Sequence, residues 1–213
     1  MAALVHIGEV GVHHARGSHI LRPSLLAMSR LGLPEQIVNT LAVVYGEGLK
    51  CHPGARRLAH KQQLRAALEV WQACAPEDCD LDWMTGYFSL RGGWVMGKSD
   101  PKDVILVAQA LLRHGVLGDP EPVKEGDPEP DRSDEDYSPG FDCRRHAATA
   151  MGHLGLSESE AWNMTLTGIR LALEAKYPKP KSNAEQAAER APSAAEYDAT
   201  MAWFDKVQAA RGE

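Results

Sequence analysis

Aromatic residues are scarce in this chain: three Phe, five Tyr and five Trp make up 6% of 213 residues. A core of ordinary size must then be filled mainly by Leu, Val, Ala and Met. Long apolar runs are lacking too. None approaches the roughly 18–20 residues that a membrane-crossing helix needs. The opening, MAALVHIGEVGVHH, has no basic head and meets Glu9 too early for a signal peptide. Synthesis in the cytoplasm is the expectation. Cysteine is limited to four residues, which suits free, buried thiols in a reducing compartment. Positive charge is not in excess. The formal net charge is −6, so non-specific attraction to nucleic acid is not expected.

Motifs that would mark an enzyme are missing as well. There is no G-x-S-x-G around any serine and no phosphate loop after Gly92-Gly93. No HExxH, paired CxxC or EF-hand spacing occurs, and no repeat at solenoid period. Cys143-x-x-His146 and Cys74-x4-Cys79 have the spacing of metal-ligand pairs. Cys143 and Cys74 nevertheless fall on apolar stripes, where a thiol behaves as a small hydrophobe. His13-His14 reads as a surface turn, since no nucleophile is spaced to partner it. Arg56-Arg57, His60-Lys61 and Arg65 read as the wet face of an amphipathic helix. No catalytic, cofactor or metal residue is expected, and the chain is expected not to be an enzyme. An enzyme remains the weakest alternative, which a cleft gathering His13, His52 or His146 with a carboxylate would revive.

What is present is the composition of a globular protein, 44% hydrophobic and 24% charged. The negative charge is concentrated. Asp119–Asp136 holds nine acids and two bases, a net of −7, which leaves the rest of the chain close to neutral. With its alternating Pro (DPEPVKEGDPEP), this stretch reads as an acidic linker that cannot bury enough apolar surface to fold.

The remaining pattern predicts an α+β fold, mainly α. Small β-hairpins pack with amphipathic helices, and a helical C-terminal module follows. Strands are expected at Val5–Val12 and His19–Leu21, and a second hairpin at Phe88–Met96 around Gly92-Gly93. Helices are expected from Pro23/Ser24 to Leu31, from Pro34 to about Tyr45, and from about Ala55 to Cys74. Another is capped by Ser99 or Asp100 and ends at Gly115. The chain is thus divided into an N-terminal α+β domain (1–118), an acidic Pro-rich linker (119–138) and a helical module (139–178). A polar linker (179–192) and a C-terminal helix (193–213) complete it.

The most informative stretch is His146–Pro178, HAATAMGHLGLSESEAWNMTLTGIRLALEAKYP. Cys143, Ala147, Ala150, Met151 and Leu154 share one helix face, and Gly155 is a natural stop. Ser157 and Glu160 form an S-x-x-E capping box. Trp162 follows, and Leu166, Ile169, Leu173 and Tyr177 make another stripe that Pro178 ends. Trp162 is open to two readings: a wedge that fixes the angle between two helices, or part of an apolar groove for a partner helix. Met164 and Thr165 stand with it as candidate partner-binding residues, because a Met thioether adapts to irregular partners. Tyr197, Met201 and Phe204 on the last helix raise the same question, as does Trp203.

The series of a small helix, Gly, Ser-x-x-Glu, Ala-Trp-x-Met-Thr, a helix and Ala-Lys-Tyr-Pro resembles the C-terminal part of tail-assembly chaperones of long-tailed bacteriophages or prophages. HILRPSLLAMSRLGLPEQIVNTLAVVYG (His19–Gly46) resembles the opening of a family of uncharacterised tailed-phage proteins. Leu68–Tyr87, Asp103–Gly118 and Glu196–Val207 are similar to later parts of that family, in the same order. The resemblance implies a non-enzymatic protein of the infected or lysogenic host's cytoplasm. It would bind the tape-measure protein and tail-tube subunits during assembly, and it would touch neither nucleic acid nor membrane. A homo-oligomer is left open. The alternative is a structural tail component, a completion or connector protein retained in the virion.

Overall fold

The computed structural model of the chain describes residues 3–14, 17–47, 53–77, 79–119, 140–178, 197, 198, 200–203, 206 and 207. Met1–Ala175 form one compact unit and Lys176–Glu213 a second. The fold is α+β and mainly α, as the patterning requires.

In the first unit a hairpin comes first. Strand β1 (Val10–His14) pairs antiparallel with β2 (Gly17–Leu21), in register from Val10 opposite Leu21 to His14 opposite Gly17. The strand expected from Val5 starts later, because Val5–Ile7 is a 3₁₀ turn closed by Gly8 at φ 90°. Glu9 just before β1 is buried, and its carboxylate is engaged twice. It meets Arg22 Nε at 2.8 Å and accepts from the Leu4 N–H at 2.8 Å.

Helix α1 (Leu25–Ser29) starts where Ser24 Oγ accepts from the Ala27 N–H, a local cap that the sequence marks. Pro34 opens α2 (Pro34–Val44), with Ile37 and Val44 buried. Helix α3 (Arg56–Cys74) is the longest. Its second half is buried along Leu64, Ala67, Leu68, Trp71 and Cys74, the stripe expected from spacing. A short helix absent from the sequence reading, α4 (Asp82–Thr85), precedes the second hairpin. There β3 (Tyr87–Phe88) pairs with β4 (Trp94–Val95). Helix α5 (Pro101–Leu112), capped by Asp100, packs along α3. It runs into a single π-helical turn, Arg113–Leu117, which ends at Gly118 with φ 71°.

Three side-chain hydrogen bonds to the backbone fix this centre. Trp71 Nε1 donates to the Val104 carbonyl at 2.9 Å and joins α3 to α5. The Val44 carbonyl, orphaned at the end of α2, accepts from Gln63 Nε2 at 2.9 Å and Gln109 Nε2 at 3.0 Å. One unsatisfied helix-end acceptor thereby holds three helices together.

Helices α6 (Cys143–Leu154), α7 (Glu158–Asn163) and α8 (Leu166–Lys176) follow as expected, with Gly155 ending α6 at φ 71°. Their placement corrects the expected domain division. The helices of 139–178 do not stand apart from 1–118, since α6 and α7 pack against α1. The Phe141 N–H donates to the Pro34 carbonyl at 3.1 Å, and the Leu25 N–H to the Met164 carbonyl at 2.9 Å. The physical reason is that α1 is too short to bury its own apolar face. Leu25 and Met28 are fully buried only because later helices close over them. Residues 120–138 of the acidic run, and the polar linker 179–192, lie outside the described residues.

Candidate functional site

The segment around Trp162 lies in a closed seam. Ser157 and Glu160 form the expected capping box. Glu160 Oε2 accepts from the Ser157 N–H at 2.9 Å and from its hydroxyl at 2.6 Å. The Ser157 hydroxyl, with help from its N–H, holds the Glu160 carboxyl below its ordinary range. Trp162 is half-buried and packs on the core with Met164. Thr165 is 2% exposed, pairs with Ser24 in an isolated β-bridge, and accepts from the Gly168 N–H at 3.1 Å.

Two residues further on the seam is sealed again. Thr167, 1% exposed, donates its hydroxyl to the His114 carbonyl at 3.3 Å and lies 3.1 Å from His114 Nδ1. Burial lowers the His114 pKa, with smaller and opposed effects from Asp119 and Arg113. Thr165 is therefore not free to line a partner groove as expected, because its side chain is spent inside the body; the Met164 carbonyl is bonded there too, while the side chains of Trp162 and Met164 stay half-buried.

In the second unit, Tyr197, Met201 and Trp203 are exposed, at 57%, 44% and 62%. Residues 197, 198, 200–203, 206 and 207 are helical. Phe204 lies outside the described residues. Of the candidate partner-binding residues that the structure describes, then, Tyr197 and Met201 are the two that solvent reaches freely.

Among the described residues no three His, Cys, Asp or Glu side chains come together as they would around a metal ion. Cys74 and Cys143 are buried, and desolvation pushes their pKa up to about 12 and about 11. His146 stacks on Phe141 at 4.9 Å between ring centroids, and burial lowers its pKa. His13 Nδ1 lies 2.9 Å from Ser18 Oγ on the hairpin surface. His52 lies outside the described residues. No helix among the described residues is long and apolar enough to cross a membrane.

A large concavity lies elsewhere, on a face whose basic residues the sequence assigns to solvent. A cleft of about 1110 Å³ opens between the first half of α3, the first half of α5 and the β3–β4 hairpin. Leu58, Leu64, Ile105 and Leu106 line it, with Phe88 and Trp94 of the hairpin. Leu58 and Leu106 are 60% and 61% exposed, so large apolar side chains stand there without a cover. Phe88 and Trp94 pack with ring centroids 5.0 Å apart, tilted at 57°. Lys61 Nζ and the Arg65 guanidinium lie over the Phe88 ring at 5.7 and 5.2 Å from its centroid. The buried Trp94 Nε1 has no hydrogen-bond partner.

Arg57, His60, Lys61 and Lys102 line the same cleft, and no Asp or Glu does so among the described residues. The basic stretch at Arg56–Arg65 was visible in the sequence. What spacing could not show is that α5 and the hairpin leave an apolar trough beside it. An available signal was Leu106, which lies two positions from both Val104 and Ala108 and so falls off their buried stripe.

No curated protein and no solved structure matches the chain. Residues 21–199, from the end of β2 into the last helix, match a family described as being of unknown function (DUF6246). The match takes in α1 to α8 and well over half of the chain, and the chain belongs to that family.

Proposed function

We propose that this protein is a non-enzymatic tail-assembly chaperone of a long-tailed bacteriophage or prophage. It works in the cytoplasm of the host and binds the tape-measure protein and tail-tube subunits before the tail polymerises. The observation that carries this reading is the open apolar cleft with Leu58 and Leu106 uncovered. The ordered resemblance of His19–Gly46, Leu68–Tyr87, Asp103–Gly118 and His146–Pro178 to tailed-phage proteins supports it. So do the exposed Tyr197, Met201 and Trp203.

The physical logic is that a very long amphipathic helix exposes apolar stripes until a tube encloses it. A protein that covers those stripes meanwhile needs uncovered apolar surface of its own and an affinity that later assembly can displace. The acid-rich run at Asp119–Asp136 adds like charge, which keeps such a complex dispersed.

Co-expression tests the reading. The tape-measure protein should remain soluble with this chain and aggregate without it, and equal solubility in both cases would remove the basis for the proposal. A structural tail component is the second reading. Among the described residues each sheet has only two strands, so β1 and β2 have open outer edges that could pair between copies. Finding the protein in purified particles at ring stoichiometry would favour that role.

A further inference from the structure

We infer that the cleft between α3, α5 and the β3–β4 hairpin is built for one class of occupant: an amphipathic helix of a partner polypeptide whose apolar stripe is flanked by Asp or Glu. The inference rests on the reading of this chain as a protein that binds another polypeptide, and it names the surface and the chemistry of the segment bound.

Size is the first argument. A helix about 10 Å across with a pitch of about 5.4 Å fills on the order of 450 Å³ per turn. A cleft of about 1110 Å³ therefore takes roughly two turns. Two turns present an i, i+3, i+4, i+7 set of apolar side chains, the usual anchor of helix-in-groove recognition. The lining matches that demand, with Leu58 and Leu106 already standing in solvent.

Added-strand recognition fits less well. The nearest sheet consists of two residue pairs, Tyr87 with Val95 and Phe88 with Trp94. So short an edge offers few main-chain hydrogen bonds to an incoming strand.

Charge is the second argument. The whole chain is net −6, yet this cleft carries Arg57, Lys61 and Lys102 and no acid among the described residues. Such local reversal selects partners more than it tightens them. It favours carboxylates beside an apolar stripe and repels a lysine-flanked helix of equal hydrophobicity. Basic residues with two aromatics could also suggest single-stranded nucleic acid. The Phe88 ring, however, already meets Lys61, Arg65 and Trp94, so an incoming base would have to displace them to stack there. Exposed Leu58 and Leu106 would gain nothing from a phosphate backbone.

The test uses the full chain and two labelled synthetic helical peptides of identical Leu/Met stripe, one flanked by Glu and one by Lys, read by fluorescence anisotropy. The Glu-flanked peptide should bind saturably and about tenfold tighter than its Lys counterpart. Leu106→Glu should weaken it by about tenfold to a hundredfold. Because Leu106 is mostly exposed, the circular dichroism and melting temperature of that variant should stay as in the parent chain. The double variant Lys61→Glu, Lys102→Glu should reverse the preference.

Equal binding of the two peptides, no saturable binding of the Glu-flanked one, or indifference to Leu106→Glu would each overturn the inference. So would a labelled single-stranded oligonucleotide that displaces the Glu-flanked peptide. The chaperone reading fails separately. If Leu106→Glu still keeps the tape-measure protein soluble, the cleft is wrong and the chaperone stands. If the parent chain binds the Glu-flanked peptide but leaves that protein insoluble, the cleft stands and the partner is another.

Discussion

Trp162 and Trp94 are both half-buried tryptophans beside the end of a short element, and both pack on the core. Their neighbours differ. Around Trp162, Ala161, Thr165 and Thr167 are closed from solvent, and the polar atoms of both threonines are bonded within the body. Around Trp94, Leu58 and Leu106 are open, Arg57 and Lys102 line the same trough, and the indole N–H is unpaired. A half-buried aromatic beside the end of a short element is therefore not by itself the mark of a binding surface. The mark is apolar side chain in excess of what the chain's own elements cover.

The comparison can be broken most directly by truncating one residue in each place. Ile169→Ala, in the seam at 2% exposure, should cost about 2–4 kcal/mol in urea unfolding. Leu106→Ala, in the cleft at 61% exposure, should cost less than about 1 kcal/mol. Equal costs would mean that the cleft is core and carries no function.

A smaller effect sharpens the description of the seam. Thr167→Val keeps the shape but removes the hydroxyl that meets His114. The unpaired His114 groups should cost about 1–2 kcal/mol, seen as a lower urea midpoint with an unchanged m-value.

Ser157→Ala should cost about 1 kcal/mol through loss of the α7 cap. Its pH dependence has a definite sign. The Glu160 carboxyl is held below its unfolded value by the Ser157 hydroxyl and N–H. That contribution is present above the unfolded carboxylate pKa of about 4.3 and is lost as pH falls through the lower folded value. The gap between parent and variant should therefore be widest near neutrality and should narrow in acid, in urea midpoints taken across that range. The smallest effect belongs to the second unit. Trp203→Ala, at 62% exposure, should leave the unfolding midpoint within about 0.5 kcal/mol of the parent.

Much of the local structure was legible because its causes are local. The Ser24 cap, the Ser157–Glu160 box, the Asp100 cap with Pro101, and the stop at Gly155 each involve residues within five positions of one another. The stripe Leu64, Ala67, Leu68, Trp71, Cys74 was likewise readable from periodicity. The site was not. Spacing marked Trp162, Met164 and Thr165 at a helix joint, but could not say whether another part of the chain closes over any of them. The Leu25 N–H to Met164 carbonyl bond and the Ser24–Thr165 bridge, where Thr165 is closed off, span more than a hundred positions of sequence. Helix α4 was missed because Asp82–Thr85 is a single turn, too short to show a period.

Sequence alone determined the capped starts and glycine stops of most helices, that the thiols of Cys74 and Cys143 are buried, and that acid is concentrated in one run. These follow from interactions within one or two turns of backbone. Only the tertiary structure decided which apolar stripes find a cover and which do not. It closed α1 beneath α6 and α7, drew Gln63 and Gln109 onto one carbonyl of α2, and left Leu58 and Leu106 facing solvent. The reason is that burial belongs to pairs of surfaces. A helix carries its apolar face in its own sequence, while the partner for that face is set by the rest of the chain.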